Sequence, residues 1–167
     1  MKKDDKTNVM RLLDQHKIPY VFHYYADTDA VNGPDIVRVL NQDPDRAFKT
    51  LVTVGKSGRF YVFVIPISRE LDLTKAASAA GEKNIEMIKS KELLPLTGYI
   101  HGGCSPIGMK KFFPTFVDRS ALNFETFMFS AGKIGYQVEI APSDLGKIIR
   151  AEFADISTDA QPDSAAK

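Results

Sequence analysis

Three short stretches carry residue types that could do chemistry. In Phe48-Lys49-Thr50-Leu51-Val52 a lysine heads an apolar, strand-like run. Lysine is rarely buried unless paired, so one reading is a solvated strand end. The other is a cation at a pocket rim, placed to meet a phosphate, a ribose hydroxyl or a developing negative charge. The second stretch, Gly102-Gly103-Cys104-Ser105-Pro106-Ile107-Gly108, opens on paired glycines. Glycine lets a ligand approach the main chain and leaves N–H groups free to point at it, as in an oxyanion hole. A plain turn would use the same residues. The third, Ser130-Ala131-Gly132-Lys133-Ile134-Gly135, surrounds a hydroxyl with small residues. That suits a pocket wall and a hairpin turn equally.

Cys104 is the only cysteine. His101 lies too close in the chain to serve it naturally as a base, and no Cys-His-Asn signature occurs, so the thiol reads as a packing group. His16, His23 and His101 have no metal-ligand spacing to one another or to Cys104. Neither a GxxxxGK[ST] nor a GxGxxG pattern is present. Neither a metal nor a cofactor is expected.

The elements that must position these residues follow from periodicity and turn signals. Val9, Leu12, Leu13 and His16 recur at helical spacing, predicting a helix over Asn8 to His16 capped by Thr7 or Asn8. Tyr20 to Tyr25 alternates as a strand. Gly33-Pro34 opens a second helix with Ile36, Val37 and Leu40 on its apolar face. Phe48 to Val54 and Arg59 to Pro66 read as a hairpin around Gly55 to Gly58. Asp72 caps a helix through Ala80 that ends at Gly81. Ile85 to Ile88 is a short strand, and Ser90 caps a short helix with Leu93 and Leu94. Glycines then divide the short β-prone runs Tyr99-Ile100, Thr115 to Asp118, Thr126 to Ser130 and Tyr136 to Ala141. Leu145, Ile148 and Ile149 predict a final helix. This order favours a single α+β or mixed α/β domain over residues 1–156, not a doubly wound fold. The polar residues 157–167 read as a disordered tail.

Bulk properties narrow the classes. The 167 residues fit one domain, and 44% hydrophobic composition supports a core without a staple. A formal charge of +1 argues against a diffuse polyanion binder but permits a local basic patch. A lone thiol, a polar N-terminus and no apolar run long enough to span a bilayer predict a cytoplasmic protein.

Taken together, the chain resembles the YbaK/EbsC family of aminoacyl-tRNA deacylases. The resemblance runs from Lys6-Thr7-Asn8 to Phe153-Ala154-Asp155-Ile156. It includes Phe48 to Leu51, Glu70 to Leu73, Leu96 to Tyr99, Gly102 to Lys111, Pro114-Thr115, Ser130 to Gly132 and Asp144-Leu145. It implies a curved, partly closed mixed β-sheet surrounded by helices. It also implies trans-editing, namely removal of cysteine from mischarged Cys-tRNA(Pro) in company with prolyl-tRNA synthetase. The implied catalytic residues are Lys49, Gly102 and Gly103. Tyr20, Phe48, Ser105, Pro106, Ser130 and Gly132 would hold the substrate. Asp29 to Gly33 departs from the small-polar stretch of the cysteine-specific enzymes. An alanine-specific deacylase using a bound water therefore stays open, as do a non-catalytic tRNA-binding module and a generic nucleotide-binding domain. With no nucleophile–base set in the sequence, the expected mechanism is attack by the substrate's own thiol.

Overall fold

The computed structural model describes residues 6–159. Thr7 caps helix α1 (Asn8–Gln15) by accepting from the Met10 N–H, and Val9, Met10 and Leu13 form its buried face. Strand β1 (Val21–Tyr24) follows, then α2 (Gly33–Val39), capped by Asn32 with a proline in its first turn. The hairpin is β2 (Phe48–Gly55) and β3 (Phe60–Pro66), as the turn signals require. A short β4 (Arg69–Leu71) leads to α3 (Leu73–Ala80), which Asp72 caps and left-handed Gly81 ends. Then come β5 (Ile85–Met87), a 3₁₀ turn Ser90–Glu92 and α4 (Leu93–Thr97). Strand β6 (Thr115–Asp118), the hairpin β7 (Phe127–Lys133) and β8 (Tyr136–Ile140), α5 (Pro142–Leu145), β9 (Ala151–Ala154) and β10 (Ser157–Asp159) complete the chain.

The main sheet has the order β5-β2-β3-β6-β9. Its β2 pairings are antiparallel, and β3–β6 and β6–β9 are parallel. Both faces are covered, which is why Tyr61 to Pro66 is buried throughout instead of alternating. On one face Phe48, Val52, Val62 and Val64 meet α1 and the antiparallel sheet β1-β8-β7, with Phe48 edge-on to Phe127 at 5.1 Å. On the other, Tyr61, Phe63, Ile65 and Phe116 pack on Ala76 and Ala77 of α3 and on Ile156. A parallel bridge between Ala47 and Met128 joins the two sheets. The described strands form a mixed α/β domain but do not close into a barrel.

Several expectations need correction. Tyr99-Ile100 is not a strand. Gly98, left-handed at φ 84°, ends α4, and the Tyr99 hydroxyl donates to the Ile107 carbonyl. The final helix stops at Leu145, and Ile148 and Ile149 lie in the turn after Gly146. Lys89, not Ser90, stands at the N-cap of the 3₁₀ turn. Ser157 to Asp159, expected as the start of the tail, pairs antiparallel with β4; the rest of that segment lies outside the described residues. Neither β4 nor β9 was anticipated, because each is too short to show a period.

Buried Asp118 fastens this C-terminal strand. Its carboxylate accepts from the Ile156 N–H at 3.3 Å, the Ser157 hydroxyl at 2.8 Å and the Ser120 N–H at 3.2 Å. Burial pushes the carboxyl up, but these bonds outweigh it and hold the acid below its ordinary 3.8. A depressed folded value means stability is present above 3.8 and is lost as pH falls through the folded value. Asp118→Asn should therefore flatten the acid limb of urea-melt stability against pH. Asp118→Ala, which orphans buried donors, should cost about 1–3 kcal/mol at neutral pH.

Candidate functional site

Strand β2 is paired along its length with β3 but only in part on its other side. Thr53 to Gly55 pair with β5, and the Ala47–Met128 bridge holds its head. Arg46, just before the strand, ties that head down. Its main-chain carbonyl accepts from the Met128 N–H, and its guanidinium bonds Glu139 at 3.0 Å and Thr126. Between these anchors the edge of β2 is open. The Ile67 N–H donates to Ala47 and the Gly55 N–H to Arg59, so the odd-numbered residues of β2 bond to β3. Thr50 therefore turns its main-chain N–H and C=O toward the open edge.

A cleft of about 520 Å³ lies along that edge. It is lined by Phe48 to Val52, whose side chains alternate between sheet faces, so it reaches around the strand edge. The residues before and in the first turn of α2 form one wall, and Met87 to Ser90 another. Tyr25, Gly102, Cys104, Ser130 and Gln137 complete the interior, and His101 stands exposed at the mouth.

Lys49 is half-buried and makes no ion pair or hydrogen bond with any described residue. Burial lowers its pKa below the usual 10.5, and the charge of Glu70 only partly offsets this. An unpaired, partly desolvated ammonium is poised for an anionic or strongly polar partner. Beside it the buried Thr50 hydroxyl has no partner among the described residues. Ser130 accepts from the Gly132 N–H at 3.1 Å, which leaves its own proton free to donate. Its register partner Gln137, only 5% exposed, is held by reciprocal amide bonds with Gln42 at 2.6 and 3.2 Å.

The structure thus brings Phe48, Lys49, Gly102 and Ser130 together and places the other expected site residues elsewhere. The Gly102 N–H has no partner among the described residues, whereas the Gly103 N–H donates to the Ile100 carbonyl at 3.0 Å. Ser105 is fully buried and its hydroxyl accepts from the Ile107 N–H. Gly132 sits in a β-bulge at φ 92°, where a Cβ would stand 3.0 Å from the Tyr99 ring. Tyr20 packs on the main core on the α1 side, and Tyr25, five residues on, reaches the cleft instead. Pro106 lines a different cleft. Sequence reasoning missed Tyr25, Thr50 and Gln137. The one available signal was an amide inside the run Tyr136 to Ile140, which is apolar or aromatic apart from Gln137 and Glu139.

The chain is similar to several known proteins over most of its length. Residues 23–148, which contain the whole cleft lining, match the aminoacyl-tRNA editing domain. A protein of Enterococcus faecalis named "Putative Cys-tRNA(Pro)/Cys-tRNA(Cys) deacylase EbsC" is 45% identical over 94% of this chain and 96% of its own. A proline–tRNA ligase of Nitrosomonas eutropha is 26% identical over 68% of this chain, which spans 19% of that enzyme. Among solved structures, the fold matches that of "a putative trans-editing enzyme for prolyl tRNA synthetase" with a TM-score of 0.77, at 22% identity over 92% of this chain and 99% of that one. A hypothetical protein, APE2540, gives a TM-score of 0.81 at 20% identity over 91% and 100%. This chain belongs to the aminoacyl-tRNA editing domain family.

Cys104 borders the cleft but is 9% exposed, and burial pushes its thiol from the usual 9.0 up to about 12. At pH 8 the thiolate fraction is then about a thousandfold below that of an ordinary cysteine. Alkylation by iodoacetamide should slow on at least that scale in the native protein and recover in urea.

Proposed function

We propose that the protein is a trans-editing deacylase that removes cysteine from mischarged Cys-tRNA(Pro). The observation that carries this reading is Lys49, an unpaired and desolvated cation at the open edge of β2. The 45% identical deacylase relative and the solved trans-editing homologue support the substrate class.

In this reading the terminal adenosine and its esterified amino acid share the cleft. A volume of about 520 Å³ falls in the ordinary range for such a ligand. The Lys49 ammonium binds the ribose or the carbonyl oxygen as negative charge develops. The Gly102 N–H, without a partner among the described residues, is a main-chain donor of the glycine loop for that oxyanion. Thr50 at the strand edge and the Ser130 hydroxyl orient the ester and the amine.

The substrate thiol supplies the nucleophile. Its thiolate attacks the ester carbonyl, the ribose oxygen leaves with a proton, and the thiolactone is then hydrolysed by water. Holding sulfur against carbonyl gives the proximity advantage of an intramolecular step. Cys104 does not compete, since its thiol is held neutral. Correctly attached proline has no such nucleophile and survives even if it enters. Prolyl-tRNA synthetase is the partner this role requires, because it makes the error.

Lys49→Ala should lower kcat/KM on cysteinyl-tRNA(Pro) by about 100-fold or more, or about 2.7 kcal/mol, with an unchanged melt. Near-normal turnover would remove Lys49 from the mechanism. The rate should rise with pH toward the free thiol value of about 8.5. Seryl-tRNA(Pro) should react far more slowly, and an S-methylcysteinyl ester should bind but persist. Rapid hydrolysis of that blocked ester would mean that water attacks, as in an alanine-type enzyme.

A further inference from the structure

Pro106 points to a second site. It lines a cleft of about 430 Å³ with Lys111, Phe112, Phe113, Ile149 and Arg150, at the entrances to β6 and β9. Phe112 is 59% exposed and stacks on no other described ring. Lys111 and Arg150 form no ion pair with any described residue, and no acidic side chain lines the cleft. In a chain whose charges almost cancel, two free cations flanking a bare aromatic ring are a local concentration.

We propose that this cleft binds the RNA body of the substrate, with Lys111 and Arg150 on phosphates and Phe112 stacked on an unpaired base. The inference rests on the editing function proposed above. Cations that follow a backbone, with an aromatic ring to receive a base, are the elements of single-strand RNA binding. The guanidinium of Arg150 suits phosphate oxygens in particular. The site also lies within reach of the editing cleft. Gly102 lines one cleft and Pro106 the other, and the four steps between them span no more than about 14 Å. Ser105 and Ile107 on and beside that connection are buried in the fold.

The test uses the full-length protein, the double variant Lys111→Ala/Arg150→Ala and the single variant Phe112→Ala. Binding of labelled, uncharged tRNA(Pro) is measured between about 50 and 200 mM NaCl. The double variant should reduce the slope of log affinity against log salt by about 1.4–1.8, the release expected from two phosphates. Phe112→Ala should weaken binding about tenfold. On cysteinyl-tRNA(Pro) all variants should raise KM with kcat held, and on a cysteinyl ester of adenosine alone they should match the parent. Unchanged affinity and slope would overturn the proposal. So would equal losses on both substrates, which would make these residues part of the fold. Normal tRNA binding with lost association to purified prolyl-tRNA synthetase would overturn it too and give the surface to a protein. If the parent cleaves neither substrate, the editing reading fails, and the tRNA isotherms still decide this site.

Discussion

Everything in the candidate cleft depends on the incomplete pairing of one strand. β2 is held by β3 throughout, by β5 at its C-terminal end and by the Met128 bridge at its head. A strand edge that is open inside a domain exposes main-chain groups that need partners. Here those groups are the main-chain N–H and C=O of Thr50, since the Val52 carbonyl accepts from the Ile88 N–H at 3.3 Å, and the walls of the cleft are the elements that stop short of covering that edge. A ligand filling the gap would meet the main-chain groups the sheet leaves unpaired. The anchors at both ends keep the gap from closing. Arg46, fixed to Glu139 and Thr126, holds one, and the Phe48–Phe127 contact packs beside it.

Electrostatics in the cleft are set by burial more than by pairing. Lys49 is made costly as a bare cation, and Cys104 is made costly as a bare anion. The first favours binding of negative or developing negative charge. The second silences the protein's own thiol in a site that would receive a thiol-bearing substrate. Contrast Glu139, which burial also penalises but which Thr126, His23 and Arg46 stabilise as an anion. That carboxylate has its partners within the fold and so serves structure. Lys49 has none among the described residues, and a group left without a partner in a cleft is placed for a ligand.

The glycine loop links the two clefts through close packing. Gly108 and Gly132 both have positive φ, and both press against Tyr99, where a Cβ would come within 2.7 and 3.0 Å of its side chain. The Tyr99 hydroxyl in turn holds the Ile107 carbonyl. These contacts fix the course of Gly102 to Gly108 through the core. Gly102, at the head of this loop, leaves its N–H without a main-chain partner among the described residues.

The sequence by itself determined the local elements wherever a strong signal existed. Thr7, Asn32 and Asp72 cap where cap chemistry places them, because the capping bond is made within three residues. The β2–β3 hairpin follows from its apolar runs and its glycine turn. Lys49, Gly102 and Ser130 were legible as candidates from their short motifs, and all three line the cleft. Tertiary structure decided the rest. Which of Tyr20 and Tyr25 faces the cleft depends on how β1 docks on β8, and two like residues at the two ends of one short strand do not reveal that. Gln137 enters the site through its register with Ser130 and its amide pair with Gln42, 95 residues away. Tail residues Ser157 to Asp159 become a strand because Asp118 and β4 lie ready to receive them. Such contacts cross long stretches of chain, so their energy leaves no trace in local periodicity.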